Sequence, residues 1–151
     1  MSGTGLLFAY GSNLASSEME AWCPEARFAG VARLPDHRLA LNRRSIRWGG
    51  GAVDIVPAAG EEVWGALYEL PDGQLDLLDA KEGQGWAYRR TTVRVEAADG
   101  RPLEAAAYEV VDKEPGEVPP TPEYAAVLVR GARERRLPEE YVARLLRWLA
   151  P

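Results

Sequence analysis

The stretch Glu62–Leu70, EVWGALYEL, constrains the fold more than any other part of the chain. Val63, Gly65 and Leu67 alternate with Trp64, Ala66, Tyr68 and Leu70, so an extended segment here is apolar on both faces. Such a strand has to be covered on two sides, which places it inside a sheet rather than at an edge. The second constraint is a hairpin. Tyr88–Ala97 and Leu103–Val111 alternate and flank Asp99-Gly100, a dipeptide that suits a tight two-strand turn. Further short strands are expected at Leu6–Tyr10, Phe28–Leu34, His37–Leu41 and Ala52–Pro57. Pro35-Asp36 reads as a turn between two of them, and Arg43–Gly51 as an irregular loop.

Helical signals lie elsewhere. Ser16–Trp22 reads as a short serine-capped helix that Pro24 ends. A second runs from Pro71-Asp72 to Glu82, with Leu75, Leu77 and Leu78 inward and Gly83 and Gly85 breaking it. Thr121 is placed to cap a third, with Pro122 first and Tyr124, Val127, Leu128 and Gly131 as its buried stripe. The last begins at Pro138 and buries Val142, Leu145, Leu146 and Leu149. Most strands precede most helices and no βαβα alternation appears, which excludes a doubly wound sheet. The fold class is therefore α+β: a mixed or antiparallel, curved sheet with helices on its outside. The Pro-rich Glu114–Pro122 is too short for a linker, so residues 1–151 are expected to form one domain.

Composition limits the partners. The net charge of -5 argues against a nucleic-acid partner, which calls for Lys/Arg on phosphates. The basic run Arg133–Arg136 reads as a solvated helix end. One cysteine excludes an intrachain disulfide, and no apolar run approaches the ~20 residues of a membrane helix. The first residues carry no basic segment ahead of a signal-like apolar run, so no membrane and a cytoplasmic location are expected. A homodimer is compatible with the sequence, which does not demand one.

Common catalytic devices are missing. The only histidine is His37, and Ser12 in YGSNL lacks the second glycine of a nucleophile elbow. Cys23 has no activating partner in sequence and reads as a small buried apolar residue. One Cys and one His do not make a zinc site. Gly49–Gly51 precedes a strand without a following Gly-Lys, so it is no P-loop; it reads as a surface loop. Two features remain. Glu82 ends the second helix beside two glycines, with Tyr68, Trp86 and Tyr88 near in sequence; the helix dipole and partial burial would both raise its pKa toward a general base. Asp76 reads as solvated and Asp79 as a loop tie. The strand ending at Tyr10 opens into Gly11-Ser12-Asn13, which suits either an Asx- or Ser-stabilised turn without ligand or a nest of amides for an anion.

Together, FAYGSNL (8–14), GGGAVDIV (49–56), EVWGALYEL (62–70), LDAKEG (78–83), PTPEY (120–124) and GARERRLPEEY (131–141) resemble the γ-glutamylcyclotransferase family, in its order and spacing. The likeness is nearer to the γ-glutamyl-amino-acid branch than to the γ-glutamylamine branch, and the chain departs from the pattern at Arg43–Trp48. The resemblance implies a small mixed β-barrel with surrounding helices and no metal or organic cofactor. It places the catalytic acid/base on Glu82, the loop gripping the γ-glutamyl group on Tyr10, Gly11, Ser12, Asn13 and Leu14, and further pocket residues on Tyr88 and Tyr124. It implies a small-molecule γ-glutamyl substrate whose own α-amine closes a ring, giving 5-oxoproline and a free amine. A related cyclotransferase acting on another amine, such as a secondary metabolite, and a non-catalytic binding module are the alternatives.

Overall fold

The computed structural model describes residues 4–83 and 85–151. Its strands are β1 (Thr4–Ala9), β2 (Arg27–Arg44), β3 (Gly51–Pro71), β4 (Tyr88–Ala97) and β5 (Pro102–Val110). They close into a barrel in the order β1-β3-β2-β4-β5. Neighbours run antiparallel except β1 and β5, which meet in parallel at Leu7 and Ala106, so the barrel is mixed as expected. β3 lies between β1 and β2, and Val63, Gly65, Ala66, Leu67, Tyr68 and Leu70 are all buried. The apolar character of both faces is thus accounted for. The β4–β5 hairpin forms across the predicted Asp99-Gly100 turn, with Gly100 at φ 86°.

Two strand assignments need correction. Phe28–Leu34 and His37–Leu41 belong to one strand, β2, and Ala52–Pro57 and Glu62–Leu70 to another, β3. Pro35-Asp36 is no chain reversal. Pro35 pairs with Glu62 and His37 with Pro57, so residues 58–61 of β3 face the single residue Asp36. Asp36 (φ 58°) and Gly60 (φ 80°) absorb the mismatch, and the Gly60 N–H donates to Asp36 Oδ1 at 3.0 Å. A bulge bends both strands there without ending their pairing.

The helices are α1 (Ser16–Trp22), α2 (Gln74–Glu82), α3 (Pro122–Glu134) and α4 (Glu139–Leu149). Thr121 caps α3 as expected, its hydroxyl accepting the Tyr124 N–H at 3.3 Å. Gly83 ends α2 in the left-handed conformation. Ser16 does not cap α1; Ala15 holds that position, and Ser16 instead donates its N–H and hydroxyl to Glu134 at 2.8 and 2.5 Å. Leu77 and Leu146 face outward, since Leu78 and Leu75, and Leu145 and Leu149, already fill the inner faces. Arg135 is not merely solvated. It lies over the Phe28 and Tyr68 rings at 4.6 and 5.2 Å and donates to Leu14 O and Tyr68 Oη. Gly50 and Gly51 are not a free surface loop either: both are buried, and a Cβ on Gly51 would lie 1.8 Å from Val118 O. No described helix is long and apolar enough to cross a membrane.

Candidate active site

At the end of β1 the chain passes through Tyr10 and Gly11 into a single 3-10 turn, Ser12–Leu14. The Leu14 and Ala15 amides are used within it, bonding Gly11 O and Ser12 O at 3.0 and 3.1 Å. The amides ahead of them stand at the open N-terminal end of the turn, where a helix leaves its donors without intrahelical acceptors. Gly11 is required here by space and not by a positive φ: its φ is −118°, but a Cβ would meet Val53 Cγ2 at 2.9 Å. The turn is held from behind. Tyr68 donates its hydroxyl to Asn13 O at 2.9 Å, and α3 presents Gly131, where a Cβ would lie 2.5 Å from the Ala15 nitrogen.

Facing the turn is the C-terminal end of α2, which carries Lys81 and Glu82. Asn13 Nδ2 donates to Glu82 Oε1 at 3.2 Å, while Lys81 donates to Asn13 Oδ1. The Asn13 side chain is therefore tied to both α2 residues, one of its two N–H donors orienting the carboxylate and its oxygen taken by Lys81. Lys81 Nζ also lies 3.9 Å from Glu82 Oε1 and 3.8 Å from Glu18 Oε1 of α1. Burial pushes the Glu82 carboxyl above its ordinary value, while the Lys81 charge and the Asn13 amide pull it back. Burial likewise lowers the Lys81 pKa, against the pull of Glu82 and Glu18.

The floor is the Val53 main chain of β3, whose N–H and carbonyl each serve one tyrosine. Its N–H donates to Tyr124 Oη at 2.9 Å and its carbonyl accepts the Tyr88 hydroxyl at 3.0 Å. Because the Tyr124 oxygen accepts from Val53, its own proton remains to be donated elsewhere. Burial raises the pKa of both phenols, which stay protonated donors. Beneath Val53, the buried Asp54 carboxylate accepts from Asn42 Nδ2, the Ile55 and Val110 amides and Lys113, fixing β3 against β5.

These residues enclose a cavity of about 50 Å³ lined by the β1 end, Ser12, Glu82, Tyr88 and Tyr124. A larger space of about 360 Å³ adjoins it, sharing Ser12, Glu82, Tyr88 and Tyr124 as its inner wall. Of the residues singled out in the sequence, Tyr10, Gly11, Ser12, Asn13, Glu82, Tyr88 and Tyr124 line the inner cavity. Leu14 does not; it is fully buried beside Gly131. Three contributors escaped sequence reading. Val53 acts through its backbone, which carries no residue signature. Tyr108 lines the inner cavity and donates to Asp79 Oδ1 at 2.6 Å, so Asp79 ties a strand and not a loop. Lys81 had a signal in its position directly before Glu82.

The model of the AIG2-like family matches residues 62–145, which include α2 with Glu82 and the start of α4. The γ-glutamylcyclotransferase of Mus musculus is 35% identical over 147 residues, covering 94% of this chain and 77% of that one. That of Bos taurus is 36% identical over 145 residues, covering 93% and 76%. The chain belongs to the γ-glutamylcyclotransferase family. A solved structure described as a γ-glutamyl cyclotransferase superposes with a TM-score of 0.90 at 33% identity, covering 95% of this chain and 86% of that one. Cyclotransferase membership makes the chain an enzyme and removes the alternative of a non-catalytic binding module. It also accords with a site that lacks a Ser-His, Cys-His or zinc constellation.

Proposed function

We propose that the chain converts a γ-glutamyl-amino acid to 5-oxoproline and a free amino acid, with Glu82 as general acid/base. The observation that carries this reading is the Glu82 carboxylate, desolvated between the two spaces and aimed by Asn13 next to the open amides of the 3-10 turn. The substrate supplies its own nucleophile. Its α-amine attacks the γ-carbonyl, the C–N bond of a five-membered ring forms, and the bond to the leaving nitrogen breaks. Holding the chain folded for attack replaces a search through open conformers, an orientation effect worth several kcal/mol.

At neutral pH the α-amine arrives as ammonium. As a carboxylate Glu82 binds it and takes one proton, so that the free amine attacks, then passes that proton to the departing nitrogen. The ring nitrogen sheds its second proton through the same carboxylate to become the lactam N–H, and the released amine takes it up and leaves as ammonium. Burial raises the proton affinity of Glu82 and so helps the first transfer. The amides of Gly11, Ser12 and Asn13 receive the γ-glutamyl end, and the Tyr124 hydroxyl, its oxygen occupied by Val53, offers a further donor. We read residues 1–151 as one working domain, since α3 and α4 share the core with the barrel. The cytoplasm is the compartment we assign, resting on the single buried cysteine.

The test is Glu82→Gln, assayed for 5-oxoproline across a panel of γ-glutamyl-amino acids, with substrate binding measured by calorimetry. The expected loss in turnover is about 10²–10⁴-fold, beyond a weakening of binding by about 10- to 100-fold from the lost contact to the substrate ammonium. Turnover retained in the variant removes Glu82 from the mechanism. A wild-type protein that makes no 5-oxoproline from any member of the panel overturns the reaction.

A further inference from the structure

The outer space beside Glu82 has an unusual charge for a chain of net charge -5: Arg43, Arg47 and Lys81 line it, against Glu82 as its one carboxylate. Two of the cations are occupied. Lys81 is buried between Asn13, Glu18 and Glu82. Arg47 stacks on Trp48 at 4.7 Å and donates to Glu18 Oε1 at 2.7 Å.

Arg43 differs. It sits on β2 in register with Ala52, on paired strand and not in the hairpin loop that follows. Strand alternation sends Arg44 to the other face, where it lies 3.8 Å from Glu114, and turns Arg43 toward the outer space. There its guanidinium lies 5.6 Å from the centre of the Trp86 ring, and among the described residues it forms no ion pair. A half-buried guanidinium beside an aromatic ring, with no hydrogen bond or ion pair of its own among the described residues, is suited to a planar carboxylate.

We infer that the outer space is the leaving-group subsite and that Arg43 is a specificity-determining residue, recognising a free carboxylate on the amine that departs. This rests on the reaction proposed above. The γ-glutamyl end occupies the inner cavity, so the leaving nitrogen must lie at the boundary formed by Glu82, Tyr88 and Tyr124. An α-carboxylate on that nitrogen's carbon then enters the space that Arg43 lines. An amine without a carboxylate would leave Arg43 unanswered.

The experiment compares γ-glutamyl-alanine with its C-terminal amide, reading 5-oxoproline formation as the ratio of the two kcat/KM values. Wild type is expected to favour the acid about 10- to 100-fold, the range of a hydrogen bond to a charged group. Arg43→Gln should bring that ratio to within about threefold of one, and Arg43→Lys should restore part of it. Arg44→Gln, on the opposite face, should keep the wild-type ratio. A wild-type ratio near one overturns the inference. So does an Arg43→Gln variant that loses both activities equally, because its ratio is unchanged and the effect is structural. Turnover of neither substrate by wild type overturns the underlying reaction as well.

Discussion

Lys81→Met gives a direct measure of how the site sets the acidity of Glu82. Lys81 Nζ lies 3.9 Å from Glu82 Oε1, and the lysine side chain is 6% exposed. Unit charges at that separation interact by about 1 kcal/mol in water and about 4 kcal/mol at an effective dielectric of 20. Removing the cation takes that attraction away from the carboxylate, so the Glu82 pKa should rise further. The sign is fixed by the proposed role. Glu82 must be ionised to take the proton, so a higher pKa moves the acid limb of kcat/KM to higher pH. Neighbouring charges act in the same direction: Glu18, 3.8 Å from Lys81, loses one of its two cationic contacts and keeps Arg47. The phenols facing Glu82 from Tyr10, Tyr88, Tyr108 and Tyr124 have raised pKa values and stay neutral through the range. The assay is kcat/KM from pH 4 to 9 for wild type, Lys81→Met and Lys81→Arg, with thermal melts as a check on folding. Lys81→Arg keeps the charge and should keep most of the wild-type profile. An acid limb that stays in place in a folded Lys81→Met protein, or shifts to lower pH, would refute the electrostatic reasoning.

Two further substitutions test the supports of the site. Gly131→Ala pushes a Cβ to 2.5 Å from Ala15 N and 2.7 Å from Leu14 Cβ, atoms that cannot swing aside. It should cost about 1–3 kcal/mol in urea denaturation and lower turnover by displacing the 3-10 turn; full activity would show that the turn tolerates movement of α3. Asp54→Ala orphans the Val110 and Ile55 amides and the Asn42 side-chain amide, while the partly exposed Lys113 can return to solvent. Three buried donors left unsatisfied at about 1–3 kcal/mol each predict a loss of about 3–9 kcal/mol, and a loss below about 1 kcal/mol would contradict it.

The features legible in the sequence were those written in local chemistry. Asp99-Gly100 and the alternation around it announce the β4–β5 hairpin, Thr121-Pro122 the start of α3, and Gly83 the end of α2. The breadth of apolar character in Glu62–Leu70 announces an inner strand. What escaped depends on partners distant in the chain. Pro35-Asp36 is a turn sequence locally, yet it faces residues 58–61 across a ladder, and the expected turn is a bulge. Arg135 looked solvated because Phe28 and Tyr68, the rings under it, lie more than sixty residues away. At the candidate site, Glu82 and residues 10–13 were singled out from residue type and resemblance, and they line one cavity. The ties of Asn13 to Lys81 and Glu82, and the use of both the N–H and the carbonyl of Val53, need coordinates.

The 21-residue β3 touches every part of this arrangement: Gly51 under Val118, Val53 under two tyrosines, Tyr68 behind the 3-10 turn, and Pro71 at the approach to α2. Such a strand works as a ruler, and its length cannot vary freely. One residue added between Gly51 and Val53 reverses the faces beyond it and carries the Val53 N–H and carbonyl away from the two tyrosines they hold. The corner at residues 58–61, already four against one, is the place where the two halves can be re-spaced with neither reversed. The turn at residues 98–101 lies at the other end of the β4–β5 hairpin from Tyr88 and measures nothing for the site. Insertions belong there, and a tag or loop graft at that turn should leave the chemistry untouched.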